Sequence, residues 1–93
     1  MASRKDLKKD IDYLITDLIL DCYACMEEHP EKDFSLYEQI INESILLKED
    51  LIVRINHFDP GTNGNSRTYF LNIKKDLINS ITQAYDKLKS VGC

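Results

Sequence analysis

Apolar residues recur at steps of three and four along almost the whole chain. Leu7, Ile11, Leu14, Ile15, Leu18, Cys22, Cys25, Met26 and His29 share one stripe of a helical wheel. That is a helical period and not a strand period. It predicts a first helix over about residues 4–29. Ser3 with Asp6 resembles a capping box at its start. Pro30 ends it, because the residue before a proline is pushed out of the α region. A second helix is predicted over about residues 35–58. It is the most apolar stretch and holds neither Gly nor Pro from Tyr37 to Phe58. Its stripe is Tyr37, Ile40, Ser44, Leu47, Leu51, Ile55 and Phe58, flanked by Ile41, Ile45 and Ile52. A face that wide suits a helix with two neighbours. Ser35 with Glu38 makes the better capping box, with Asp33 as a rival cap.

Residues 59–66, Asp-Pro-Gly-Thr-Asn-Gly-Asn-Ser, supply the fixed and positive φ values that turns need. Asn65 or Ser66 then caps a third helix over about residues 67–91. Its stripe is Phe70, Ile73, Leu77, Ile81, Ala84, Leu88 and Val91, with Tyr69, Ile78 and Tyr85 at the edges. Its far side reads as polar (Asn72, Lys75, Asn79, Gln83, Asp86, Ser90), and Gly92 is a natural residue to follow the helix. Helices of matched length with short connections point to an all-α fold, a three-helix antiparallel bundle in up-down-up order. Leu7-Lys8-Lys9-Asp10-Ile11 matches Ile73-Lys74-Lys75-Asp76-Leu77, and at the same offset Cys22 aligns with Leu88. An internal duplication would produce that likeness. So would two amphipathic helices drawing on common residues, the plainer reading for so few units.

Composition narrows the class. The chain of 93 residues reads as one domain over 1–93. An apolar share of 43% with 30% charged residues is ordinary for a globular protein and argues against disorder. The net charge of −4 lacks the basic footprint that a nucleic-acid binder needs. No apolar run is long enough to span a membrane, and no continuous apolar segment of signal-peptide type follows the N-terminus. Three cysteines make an odd count with no disulfide framework, which points to a reducing cytoplasm.

Few residues are arranged for chemistry. Cys22, Cys25 and His29 point the same way on the first helix, and Cys93 falls at the corresponding end of the third. Zn²⁺ accepts such ligands in tetrahedral geometry. Against this, Cys22 and Cys25 lie on the core stripe, where free cysteine behaves as a small hydrophobe. Read as C-x-x-C, the pair sits near a helix C-terminus, where the dipole disfavours the thiolate that redox chemistry needs. Arg54, Asn56, His57 and Asp59 crowd the end of the second helix and could line a small ligand site. The same residues also suit a helix C-terminus followed by an Asp-Pro turn. Glu27-Glu28 and Glu49-Asp50 are sequence neighbours, hence about 100° apart on a helix, and form no acid–base couple. No resident cofactor is expected.

The strongest functional signal is an apolar surplus. Tyr13, Leu20, Tyr23 and Ala24 fall off the core stripe of the first helix, and Leu46 with Val53 falls on the back of the second. Seams on two adjacent helices, with none on the third, suggest a contact surface. The expectation is a cytoplasmic, non-catalytic interaction module that forms a homodimer or binds another protein through Tyr13, Leu20, Tyr23, Leu46 and Val53. The alternative is a ligand- or metal-binding protein using the Arg54 or the cysteine cluster. The opening Met1-Ala2-Ser3-Arg4-Lys5-Asp6-Leu7-Lys8-Lys9-Asp10-Ile11-Asp12-Tyr13-Leu14, with Asp50-Leu51-Ile52-Val53-Arg54-Ile55-Asn56-His57, resembles a family of small, uncharacterised all-helical proteins of Bacteroidetes-type bacteria. The resemblance implies an all-α fold and no activity.

Overall fold

The computed structural model describes residues 4–31, 33–59, 61 and 64–91. Three helices form where the apolar period predicts them: α1 over Arg4–Glu28, α2 over Ser35–Asn56 and α3 over Ser66–Ser90. No strand occurs among the described residues, and the protein is all-α. Each helix packs on the other two, in a rod of 53 × 19 × 17 Å. None of these helices is long and apolar enough to cross a membrane.

The core is the sum of the three stripes. Leu7, Ile11, Ile15, Leu18 and Cys22 of α1 meet Tyr37, Ile40, Leu51 and Ile55 of α2 and Ile73 and Leu77 of α3, all almost fully buried. Fully burying one such aliphatic side chain is worth roughly 1.5–3 kcal/mol, so this cluster supplies most of the drive to fold. Ser44 is the one polar member of the buried set among the described residues. Its hydroxyl donates to the Ile40 carbonyl at 2.7 Å, one turn back, which satisfies it without a partner from another helix. Leu14, Met26, Leu47, Phe70, Ala84 and Val91 are half-buried and close the rim of the core.

Helix ends follow local chemistry and depart from the expected bounds by a residue or two. α1 ends at Glu28, although the His29 N–H still reaches the Cys25 carbonyl at 3.0 Å. α2 ends at Asn56, short of the expected Phe58. The His57 N–H closes the last turn on the Val53 carbonyl, and the Phe58 ring leaves the helix to pack on Tyr69 and Phe70 at 5.0 and 5.4 Å. The Arg4 guanidinium lies 5.9 and 5.8 Å from the Phe58 and Phe70 rings, joining the start of α1 to this cluster. The expected Ser35–Glu38 capping box does not form: the helix is preceded by Phe34, with no side-chain cap. The rival Asp33 acts instead, accepting from the Ser35 N–H at 2.9 Å and its hydroxyl at 2.7 Å. These two bonds hold the Asp33 carboxyl below its ordinary pKa. α3 is capped by Asn65, whose side chain accepts from the Arg67 N–H at 2.8 Å. The preceding Gly64 supplies the positive φ of 74° that the turn requires. Ser3 and Gly92, expected at the outer ends, lie outside the described residues.

Polar ties lace the rod along its surface. Lys48 pairs with Asp12 between α2 and α1. Arg54–Asp76 at 2.9 Å and Lys87–Glu43 at 3.4 Å join α2 and α3. Exposed pairs of this kind contribute about 0–1 kcal/mol each, so they align the helices more than they hold them. The Tyr85 hydroxyl donates to Asp21 at 2.6 Å and the Tyr69 hydroxyl to the Arg54 carbonyl at 2.8 Å.

Candidate interaction surface

Every residue expected on the contact surface is exposed. Tyr13, Leu20 and Tyr23 stand on the outer face of α1, Tyr13 at 72% exposure, and Ala24 is exposed beside them. Leu46, at 64%, and Val53 are exposed on α2. The arrangement differs from the expected seam in two ways. Leu46 and Val53 do not share one surface feature. Val53 lines a groove between α1 and α2 with Ile15, Thr16, Ile19, Ile45, Lys48, Glu49 and Ile52. Leu46 lines a second groove, between α2 and α3, with Glu43, Leu47, Ser80 and Lys87 among its walls. The seven-residue spacing places both on the back of α2, but each leans toward a different neighbour.

The second difference concerns α3. Its outer side is not polar throughout, because Leu71 is 50% and Ile78 46% exposed. With Lys74, Lys75 and Asn79 they line a shallow depression. Their own seven-residue spacing was the available signal. Ile78 instead reads as an edge of the core stripe, and Leu71 sits beside Phe70, which dominates that turn. Ile45, expected as a core flank, is likewise largely exposed and belongs to the α1/α2 groove.

That groove has a volume of about 510 Å³ and a mostly apolar lining. Its lining includes the aliphatic flanks of both helices, and Lys48, one of its lining residues, pairs with Asp12 of α1. Lys48 and Glu49 add one charge of each sign to the lining. The α2/α3 groove is smaller, about 340 Å³, and more polar. Glu43 there accepts from Gln39 at 3.0 Å and pairs with Lys87, and these contacts hold its carboxyl below the ordinary value.

The two other candidate clusters are drawn into structural contacts. Arg54 reaches Asp76 on α3, and its carbonyl receives the Tyr69 hydroxyl. Asp59 accepts from the Gly61 N–H at 2.9 Å within the connecting turn. Asn56 and His57 are exposed at the end of α2. Of the cysteine cluster, Cys22 is a free thiol in the core. Burial, and then the nearby Asp21 carboxylate, push it up to about 11, far from the thiolate that binds metal or attacks a disulfide. Cys25, for which the odd cysteine count suggested no bridge, is disulfide-bonded. Cys93 lies outside the described residues. His29 is half-buried and lies 3.6 Å from Glu31. Among the described residues no group of three or more His, Cys, Asp or Glu is placed to hold a metal ion. Tyr85 is held protonated by burial and by its bond to Asp21, so it supplies no phenolate.

Comparison of the chain with protein-family models, with curated proteins and with solved structures finds no match.

Proposed function

We propose that this protein is a non-catalytic interaction module that self-associates through the face shared by α1 and α2. The observation that carries the reading is the apolar groove between those helices, flanked on α1 by exposed Tyr13, Leu20 and Tyr23 and on α2 by Ile45 and Val53. Single exposed apolar residues are common and need no cause. A set of them on two adjacent helices, beside a groove that is mostly carbon, is the pattern of a surface covered by protein. We further read the bundle as up-down-up. The ties from Glu43 to Lys87 and from Arg54 to Asp76 support this, since rising numbers on α2 meet falling numbers on α3.

Light scattering on a size-exclusion column, across a dilution series, tests the reading. It is run with and without reductant, because a disulfide at Cys25 opens in a reducing cytoplasm. The expected result is a dimer in both. Leu20→Asp with Val53→Asp keeps the helical circular dichroism and runs as a monomer. A wild-type monomer at every concentration, or a double variant that remains dimeric, refutes the assignment.

A further inference from the structure

The outer face of α1 carries a repeat of its own, distinct from the stripe that enters the core. Lys9, Tyr13, Thr16, Leu20, Tyr23 and Glu27 follow one another at alternating steps of four and three, and all are exposed. This 3.5-residue period keeps one stripe facing a partner helix along its length. The stripe reads basic, then apolar, then acidic. It is therefore complementary to a second copy of itself only when the two run antiparallel.

We infer that the protein forms a two-fold dimer in which α1 packs antiparallel on α1 of the partner subunit, in a single register. Lys9 lies opposite Glu27 of the partner subunit, Tyr13 opposite Tyr23 of the partner subunit, and Thr16 opposite Leu20 of the partner subunit. The axis passes at the level of Leu18, midway between each pair. The inference rests on the self-association reading and gives it a partner and a geometry. Two-fold symmetry makes every pair occur twice, so a favourable match at one end is repeated at the other. Lys9 and Glu27 stand about 27 Å apart along the helix at 1.5 Å per residue, so the two charge pairs bracket the apolar centre. Neither residue is engaged in an ion pair among the described residues. A parallel pair would set Lys9 against Lys9 and Glu27 against Glu27, and is disfavoured by repulsion at both ends.

The neighbours of the stripe fix which way the contact rolls. On the α2 side Ile19 lines the groove. On the α3 side Asp17, close to the axis, would face Asp17 of the partner subunit. Repulsion there and apolar contact at Ile19 turn the interface toward α2, so that Ile45 and Val53 fall under the same cover.

The test is charge reversal followed by sedimentation velocity at low salt. Lys9→Glu and Glu27→Lys each turn two attractive pairs into two repulsive ones, and each raises the dimer dissociation constant roughly tenfold. The chain carrying both substitutions returns to within about threefold of wild type, since the pairs are restored with their signs exchanged. An equimolar mixture of the two single variants associates more tightly than either alone. Both positions of the test are exposed, and circular dichroism verifies that each of the three variant chains is folded. A dimeric wild type whose affinity ignores the reversals, or a double variant as weak as the singles, overturns the antiparallel register while leaving self-association intact. A monomeric wild type overturns both.

Discussion

Tyr37 offers the sharpest test of how this core is held together. The residue is 1% exposed, and its hydroxyl has no hydrogen-bond partner among the described residues. The ring is well placed, packed in the α1/α2/α3 core with Phe34 at 6.3 Å, so the apolar part of the residue stabilises while the hydroxyl does not. Burying a hydroxyl unpaired costs about 1–3 kcal/mol. Tyr37→Phe removes that cost and keeps the ring, so it leaves no cavity of consequence. The expected gain is about 1–2 kcal/mol. For a domain of this size a change of 1 kcal/mol shifts Tm by roughly 4–8 °C, so Tm should rise by roughly 5–15 °C. Urea titration followed at 222 nm, with equal slopes for the two proteins, measures it. Tyr85→Phe is the matched control. The Tyr85 hydroxyl donates to Asp21 at 2.6 Å, so the same chemical change should cost about 1 kcal/mol there. The two substitutions must move stability in opposite directions. A loss of about 1 kcal/mol from Tyr37→Phe, matching the control, refutes the claim that its hydroxyl is unpaired in the folded protein.

Two further predictions concern a helix end and a titration. Asn65→Ala removes the side-chain acceptor for the Arg67 N–H and should lower stability by about 1 kcal/mol in the same urea assay, while Asn65→Gly costs only a few tenths. Cys22 has a folded pKa raised from 9.0 to about 11, chiefly by burial. The folded state thus holds its proton in a range where the unfolded state has lost it. The contribution is whole below pH 9 and declines as pH rises from 9 toward 11. Cys22→Ala should flatten that alkaline decline, and the native Cys22 thiol should resist alkylation at pH 8 until urea unfolds the chain.

The helices were legible because each stripe is long and regular. At an offset of 66 residues, Leu7 and Ile73, Ile11 and Leu77, Ile15 and Ile81, and Cys22 and Leu88 are buried in pairs, so α1 and α3 stay in phase over almost their full length. Ends were less legible because several groups compete for the same backbone donors. At α2 the Ser35–Glu38 spacing fits a capping box, yet the Asp33 carboxylate, a stronger acceptor than a hydroxyl, takes both the N–H and the hydroxyl of Ser35. At the far end of α2, Phe58 continues the apolar period of the helix. It gains more from the rings of Tyr69 and Phe70 across the turn, and the helix closes before it.

The candidate surface was legible as a set of residues but not as a shape, and the reason is geometric. A helical wheel assigns each side chain an angle relative to its own helix, whereas a groove is defined by two helices at once. Leu46 and Val53 both point away from the core of α2, but α1 and α3 flank that helix on opposite sides, so a modest difference in angle sends them to different grooves. On α1 no such ambiguity arises. Its outer stripe is centred opposite the core, and Tyr13, Leu20 and Tyr23 keep the exposure that their positions imply. The α1 stripe is accordingly the part of the surface whose chemistry can be read in order along the chain. A partner that covers it must present acid near Lys9, carbon in the middle and base near Glu27, and α1 itself, reversed, meets all three conditions.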